Sequence, residues 1–369
     1  WLSSHQPFHW LAEFYEIIHG NGGFDVIIGN PPYVVCPIDR KKREASSNGY
    51  KLKNYITLEC ANLYAYVIER SSVLSSSTMN IGMIIPLSFT AAKNMASLRE
   101  LLTKGKSSFI SSYEIRPAKL FDGGKGADQR LNIVISNNKS KDIIYTTEVL
   151  RWNSEHRRFL FNNIGYTQSL LRDRILRFSN PLELGILSKY EKDKPIEFLC
   201  VDSCDKYRIH YRSAGLRYWI IFLNNGFNTS SASNKSKSIT GLKESKYLMA
   251  GLNSNMYWWY YATNFDMFNQ TDSNVCGFRL DYDEINDIGI FASELEEDMN
   301  RNKIYSKIKK RDGNINESFA YQKRLSKPII DEIDRVLAKH YGFTEEELDF
   351  IINYDIKYRM GDELGGDDV

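Results

Sequence analysis

Apolar residues arrive along this chain in two rhythms. At Phe24 to Gly29 and again at Ile81 to Pro86, the runs FDVIIG and IGMIIP are short, rich in β-branched residues and closed by proline, Pro31 in the first case. Runs of that length and composition read as buried parallel strands. Around them the spacing lengthens. Phe8, Leu11, Tyr15 and Ile18 recur at helical intervals before Gly20-Asn21-Gly22-Gly23, and Leu63, Val67 and Leu74, with Tyr64 and Tyr66, do the same. Ala91 to Leu102 supplies another helix, and Phe109 to Ile115 and Leu131 to Ser136 two further strands. Strands alternating with helices predict an α/β sheet over residues 1–150.

Beyond it, residues 151–180 are polar, rich in Arg and Asn, and read as a connector. Residues 181–325 mix patterns and predict an α+β domain. Tyr218 to Leu223 reads as a strand stopping at Asn224-Asn225-Gly226, Ser230 to Ser238 as a loop of low complexity, and Ile38 to Tyr50 in the first domain as a mobile loop. Tyr257-Trp258-Trp259-Tyr260-Tyr261 offers a stacking platform for bases, but a packed helix is the simpler reading. Arg301 to Arg311, with six Lys/Arg and no acid, is either a phosphate contact or an exposed helix. Residues 326–369 close the chain as helices, the last opened by a Thr344-x-x-Glu347 capping box.

The stretch with chemistry in it is Asn30-Pro31-Pro32-Tyr33, placed where a parallel strand ends and where open α/β sheets bind ligands. Each proline holds its predecessor out of the helical region and neither has an N–H. The turn is therefore stiff and offers acceptors only, the Asn30 side-chain oxygen and the Pro31 carbonyl, beside the aromatic face of Tyr33. Two acceptors and a ring suit a planar substrate that carries an exocyclic amine. By contrast, Gly123-Gly124-Lys125-Gly126 lacks the spacing and following helix of a phosphate loop.

FDVIIGNPPY resembles the [DNS]-PP-[YFW] motif of S-adenosylmethionine-dependent amino methyltransferases. From Phe24 to about Ser136 the likeness extends to adenine-N6 DNA methyltransferases of the Eco57I and type IIG restriction-modification kind and their phage-defence relatives. The resemblance implies a Rossmann-like methyltransferase sheet ending in a reversed hairpin, S-adenosylmethionine as cofactor with Asn30 touching it, and double-stranded DNA as partner. Asn30, Pro31, Pro32 and Tyr33 would be catalytic, with Tyr33 stacking on a flipped adenine and Phe121, in the loop before the last hairpin strand, covering its other face. SKYLMAGLNSNMYWWYY, Ser245 to Tyr261, is similar to a scaffold helix of target-recognition domains, and residues 326–369 to the carboxyl-terminal segment of the same methylases. The same tetrapeptide also occurs in enzymes that methylate a protein glutamine, so the DNA needs support of its own.

Charge supplies some. Overall 48 Lys+Arg face 46 Asp+Glu, yet Lys206 to Lys246 holds eight Lys/Arg against the single acid Glu244, while Asp281 to Asn300 holds eight acids and no base. The first stretch suits a polyanion and the second does not. Arg40-Lys41-Lys42-Arg43, beside the motif, and Lys235 and Lys237 are the candidate DNA contacts. The five cysteines form no CxxC pair and no zinc spacing, so no metal is expected and free thiols in a cytoplasmic protein are the simplest account. No run approaches the roughly 18 apolar residues of a membrane span.

One expected element is missing. The glycine-rich FxGxG turn that grips the cofactor should precede the motif strand, and neither the 29 residues before Asn30 nor the C-terminal region carries it. The sequence therefore predicts the catalytic portion of a larger methylase, beginning within it at Trp1, or a split subunit needing an amino-terminal methyltransferase or nuclease portion, and alone inactive. A catalytically inactive DNA-binding specificity remnant and a protein-glutamine methyltransferase are the alternatives.

Overall fold

β-branched side chains crowd a helix and pack well on a pleated sheet, and the VII of Val26–Ile28 duly forms strand β1 (Phe24–Gly29). Upstream of it lie a single helical turn, α1 (Trp10–Glu13), and a π-helical turn at Glu16–Gly20. Downstream, β2 (Ile38–Asp39), β3 (Glu44–Ser47) and β4 (Tyr50–Lys53) make a small antiparallel meander. This replaces the expected mobile loop: Glu44 is 5% exposed and draws Lys51 and Lys53 within 3.7 and 3.4 Å, pairing the strands through charges that looked like loop polarity. Helix α2 (Leu63–Val73) leads into β5 (Ser75–Pro86), which runs parallel to β1 as the two proline-stopped runs predicted.

The computed structural model describes residues 9–47, 49–121, 129–138, 141–202, 206–214, 218–227, 231–281, 288–309 and 315–360. The chain divides into two units, Trp1–Pro181 and Leu182–Val369.

In the first unit, α3 (Ser88–Ala91) and α4 (Ala96–Thr103) precede β6 (Ser107–Tyr113), followed by β7 (Leu131–Asn137), β8 (Ile143–Leu150) and β9 (Thr167–Ser169). The strands stand in the order β1-β5-β7-β6-β8-β9. β7 enters between β5 and β6 antiparallel to both, which is the reversed hairpin. Met79, Ile81, Met83 and Ile85 alternate along β5 and pack with Tyr64, Ala65 and Ile68 of α2 and Leu98 and Leu102 of α4. Each fully buried side chain of this kind contributes about 1.5–3 kcal/mol. The 151–180 stretch, read as a connector, adds β9 to the sheet, and buried Arg99 donates to the Phe89, Ala92 and Asp173 carbonyls at 2.8, 2.8 and 2.6 Å.

β1 differs from the buried strand expected of its sequence. β5 covers one edge, and among the described residues no strand covers the other. Ile27 turns into the core, but Val26 is 61% and Ile28 79% exposed.

In the second unit, α5 (Leu182–Tyr190) precedes a sheet of β10 (Cys200–Val201), β11 (Arg208–Arg212) and β12 (Asn234–Ile239), in the order β10-β12-β11. The polar run Ser230 to Ser238, expected as a loop, thus becomes a strand from Asn234 because its alternate positions pair with β11. Helices α6 (Leu242–Asn253) and α7 (Asn255–Asn264) follow, then α8 (Asp272–Cys276) and α9 (Ile288–Arg301). All five residues Tyr257 to Tyr261 are buried, with the Trp259 indole donating to Glu183 at 2.8 Å and the Trp258 indole to Asp355 at 3.1 Å. Packing is what that run does.

Two further expectations change. Tyr218 to Leu223 is extended but not a strand. Only Leu223 pairs with a strand, exchanging backbone hydrogen bonds with His210 of β11 at 2.8 and 3.1 Å; before it side chains serve the backbone, with Asn253 receiving the Phe222 N–H at 3.2 Å and donating to the Phe222 carbonyl at 2.9 Å, Lys323 donating to the Ile220 carbonyl and Arg359 to that of Tyr218. Arg301 to Arg311 is not a helix either, since β13 (Ile304–Lys309) starts two residues past α9 and pairs with β14 (Ile315–Ala320). Isoleucine at 304 and 308 alternating with Tyr305 and Lys307 is period two, which a count of cations conceals. The two C-terminal helices expected form as α10 (Lys327–Tyr341) and α11 (Glu345–Asn353), but α11 is not the last, since a short α12 (Ile356–Met360) follows it. Gly342 ends α10 at φ 70°, and Thr344 and Glu347 close the capping box on α11.

Candidate active site

The carboxyl ends of β1, β5 and β6 and the amino end of β7 lie at one end of the sheet, because β5 pairs parallel with β1 and antiparallel with β7, which is antiparallel to β6. Pro86, Leu131 and Tyr113 meet there in register. Asn30–Tyr33 leaves that end, and so does the β6–β7 connection that carries Phe121. Three strand spacings separate β1 from β6, about 14 Å.

Pro31 is buried, whereas Asn30 and Pro32 face solvent. Beyond them the backbone is fixed to the start of α2: Leu63 N–H donates to the Val34 carbonyl at 2.8 Å, and Cys36 N–H to that of Ala61 at 2.9 Å. Tyr33 is half-buried at the rim of the core, edge-on to Tyr64 with centroids 6.1 Å apart. Its hydroxyl donates to the Asn30 side-chain oxygen at 2.6 Å and approaches the Ile84 carbonyl of β5 at 2.9 Å. Burial pushes the Tyr33 phenol up to about 12, so it remains a donor at neutral pH. One hydroxyl hydrogen thus serves two acceptors. It orients the Asn30 carboxamide with its oxygen toward Tyr33, and a carboxamide oxygen retains a second lone pair for an incoming amine.

Phe121 is 38% exposed. The residues before it are pinned: Ala118 and Leu120 pack with Tyr113 and Trp152, and Glu114 pairs with Arg130 at 2.8 Å. Arg157 donates to the Lys119 carbonyl at 3.0 Å and to that of Leu120. Nothing in the sequence singles out Arg157, one of several arginines in that polar stretch. The glycine-rich stretch after Phe121 lies outside the described residues.

Arg40, Lys41, Lys42 and Arg43 form the exposed turn between β2 and β3, with Arg43 at φ 50°. Arg40 is 3.2 Å from Glu59 and Lys42 3.5 Å from Asp39, whose carboxyl the Lys42 backbone N–H holds below its usual range. Exposed pairs of this sort contribute about 0–1 kcal/mol and exchange readily for other anions. In the second unit Lys235 is exposed, but Lys237 is turned beside Asp272 at 4.0 Å, on the sheet face shared with buried Ile209.

Along the free edge of β1 runs a cavity of about 580 Å³, lined by Phe14, Phe24, Val26 and Ile28 with Leu63 and Val67 of α2. Its polar lining is Arg70, Ser71 and two tyrosines, and among the described residues no carboxylate lines it. S-adenosylmethionine presents ribose hydroxyls and an ammonium group, which need acidic or carbonyl partners. These residues do not fit it. Among the described residues no group of His, Cys, Asp and Glu is arranged to hold a metal, and no helix is long and apolar enough to cross a membrane.

Residues 2–121, which contain the strand, the motif and Phe121, match the Eco57I restriction-modification methylase family. A Methanocaldococcus jannaschii protein named as a type II restriction enzyme and methyltransferase is 35% identical over 102 residues, which are 27% of this chain and 8% of the relative. Among solved structures, the type IIL restriction-modification enzyme MmeI in complex with DNA aligns with 94% of this chain and 58% of its own at 13% identity, with a TM-score of 0.49. The type ISP enzyme LlaBIII bound to DNA aligns with 74% and 29% at 12% identity and a TM-score of 0.34.

Proposed function

We propose that this chain carries the base-handling part of an adenine-N6 DNA methyltransferase from a restriction-modification or phage-defence system. The observation that supports the reading most directly is Asn30-Pro31-Pro32-Tyr33 at the end of a parallel strand, within the residues that match the methylase family. The Asn30 oxygen and the Pro31 carbonyl accept the two hydrogens of the adenine amine. That pulls a nitrogen otherwise delocalised into the ring toward a nucleophilic, pyramidal shape and fixes its direction. Tyr33 provides the ring on which the extruded base stacks, and Phe121, at the same end of the sheet, its second cover. With Asn30 moving onto an amine, the Tyr33 hydroxyl keeps the Ile84 carbonyl as acceptor.

S-adenosylmethionine is the methyl donor this family chemistry calls for, and its ribose and ammonium require groups beyond those lining the β1 cavity. We assign them to a further polypeptide segment or subunit seated along the free edge of β1. Tyr33 and Asn30 are then the side of the centre that faces the base.

The test is methyl transfer to duplex DNA by the intact polypeptide or complex that contains this chain. Asn30→Ala should lower transfer at least about 100-fold while leaving DNA affinity within a factor of about three. Equal transfer by the variant rejects the assignment. Transfer to protein glutamine instead of DNA rejects the substrate.

A further inference from the structure

Register on β11 sets Arg208, His210 and Arg212 on one face and buried Ile209 and Tyr211 on the other. The outer face is the basic one, and Lys237 belongs to the inner face. From Arg212 the surface continues as a row of cations seated on rings. The Arg212 guanidinium lies 5.2 Å from the Phe227 centroid, and its buried Nε has no hydrogen-bond partner among the described residues. Phe227 meets Tyr321 edge-on at 6.0 Å. Lys303 sits 6.0 Å from the Tyr321 ring and 4.8 Å from that of Phe319, with its ammonium also donating to Asn300 at 3.1 Å. Phe319 packs on Tyr305 at 5.2 Å, and Lys307 ends the row 5.6 Å from Tyr305. Register sets one acid, Glu317, opposite Lys307.

Each ring in the row already has a cation near it, so the rings do not offer open faces to bases. What they do is hold long, rotamer-rich side chains in place. An immobilised cation gives up less conformational freedom when it meets an anion, and every such contact with a nucleic acid releases counterions. A repeated, fixed row of positive charge fits a repeating anion better than a single small one. Arg208 and Arg212, four residues apart on one strand face, extend the row by roughly 13 Å.

We propose that Arg208, Arg212, Lys303 and Lys307 form a phosphate-backbone contact surface for double-stranded DNA, with Phe227, Phe319, Tyr321 and Tyr305 as the seats of its cations. The proposal rests on the DNA-methyltransferase reading and assigns the part of the second unit that lies against the duplex.

Anisotropy titration of a labelled duplex with the chain, from about 50 to 200 mM salt, tests it. Replacing all four cations by alanine should weaken binding on the order of 100-fold and reduce the slope of log K against log salt by roughly three to four. Each single replacement should reduce that slope by about one, which decides the matter if the fourfold variant does not fold. Lys339→Ala, a charge loss elsewhere on the surface, should leave the slope within half of that step. Phe319→Leu with Tyr321→Leu keeps every charge but unseats Lys303, so affinity should fall about threefold or more at an unchanged slope. Folded variants with wild-type affinity and slope overturn the proposal, as does tighter binding to a single strand of equal charge. A wild-type chain with no salt-dependent DNA binding overturns the methyltransferase reading itself.

Discussion

The Tyr33 hydroxyl stands 2.6 Å from the Asn30 side-chain oxygen and 2.9 Å from the Ile84 carbonyl, so a single hydrogen ties the motif's first and last residues to the neighbouring strand. Tyr33→Phe removes that tie and leaves the ring. The expected cost is about 1 kcal/mol, read as a shift in the urea midpoint at constant m-value. Tyr33→Ala should cost more, because it also vacates the rim of the core beside Tyr64.

The same phenol gives a pH signature. Its folded value is raised from 10.0 to about 12 by burial, so the folded state keeps a proton that the unfolded chain has lost. Its contribution is complete below about pH 10 and disappears as pH rises toward 12. Tyr33→Phe should therefore lose less stability than wild type across that alkaline window.

Asp334 anchors the start of α7, receiving the Met256 and Asn255 N–H groups at 3.1 Å each and the Asn255 side chain at 2.7 Å. Asp334→Ala should destabilise the second unit by roughly 2–4 kcal/mol, since it removes a cap and leaves buried Arg359 with less compensating charge. Burial raises this carboxyl to about 6. Its contribution is complete below about pH 4 and declines as pH rises through 6. Denaturation of Asp334→Asn between those pH values should lack this decline.

On the free edge of β1, Ile28 is 79% exposed. Ile28→Lys should change the stability of the chain by less than about 0.5 kcal/mol. It should also suppress concentration-dependent light scattering, because a charged edge strand no longer templates pairing with another strand. Where a further segment docks on this edge, the same substitution should prevent that docking.

The Cys200 and Cys276 sulfurs approach to 3.3 Å although 76 residues separate them. An added small-molecule disulfide should exchange with this pair, releasing two small thiols and leaving an intramolecular Cys200–Cys276 bond. Peptide mass mapping checks the pairing. A stable mixed disulfide on either residue counts against it.

Legibility varied with the kind of order involved. β5 and the β6–β7 hairpin were readable because each buries an apolar face, and burial leaves its period in the sequence, whereas β1 shows the same apolar run with Val26 and Ile28 exposed. The motif was readable because prolines restrict the backbone whatever surrounds them. The meander at Ile38–Lys53 was not, since only Ile38, Ala45 and Leu52 turn inward and the rest of its pairing involves Glu44 and two lysines, residues that look the same in a loop. Lys237 was selected by charge, while its orientation follows from the register of β12 against β11, a relation between distant segments. RIHYR at 208–212 did carry an alternating signal that would have pointed to Arg208 and Arg212.

Tyr218–Leu223 has a consequence for how the protein is made. Its carbonyls are matched by Lys323 and Arg359, which lie 103 and 141 positions later. During synthesis this apolar hexapeptide leaves the ribosome long before the side chains that complete it. For that interval a chaperone must shield it or a neighbouring strand will claim it. A polypeptide stopped ahead of Lys323 would leave the Tyr218 and Ile220 carbonyls without these partners, so premature termination here should produce inclusion bodies instead of a smaller soluble domain.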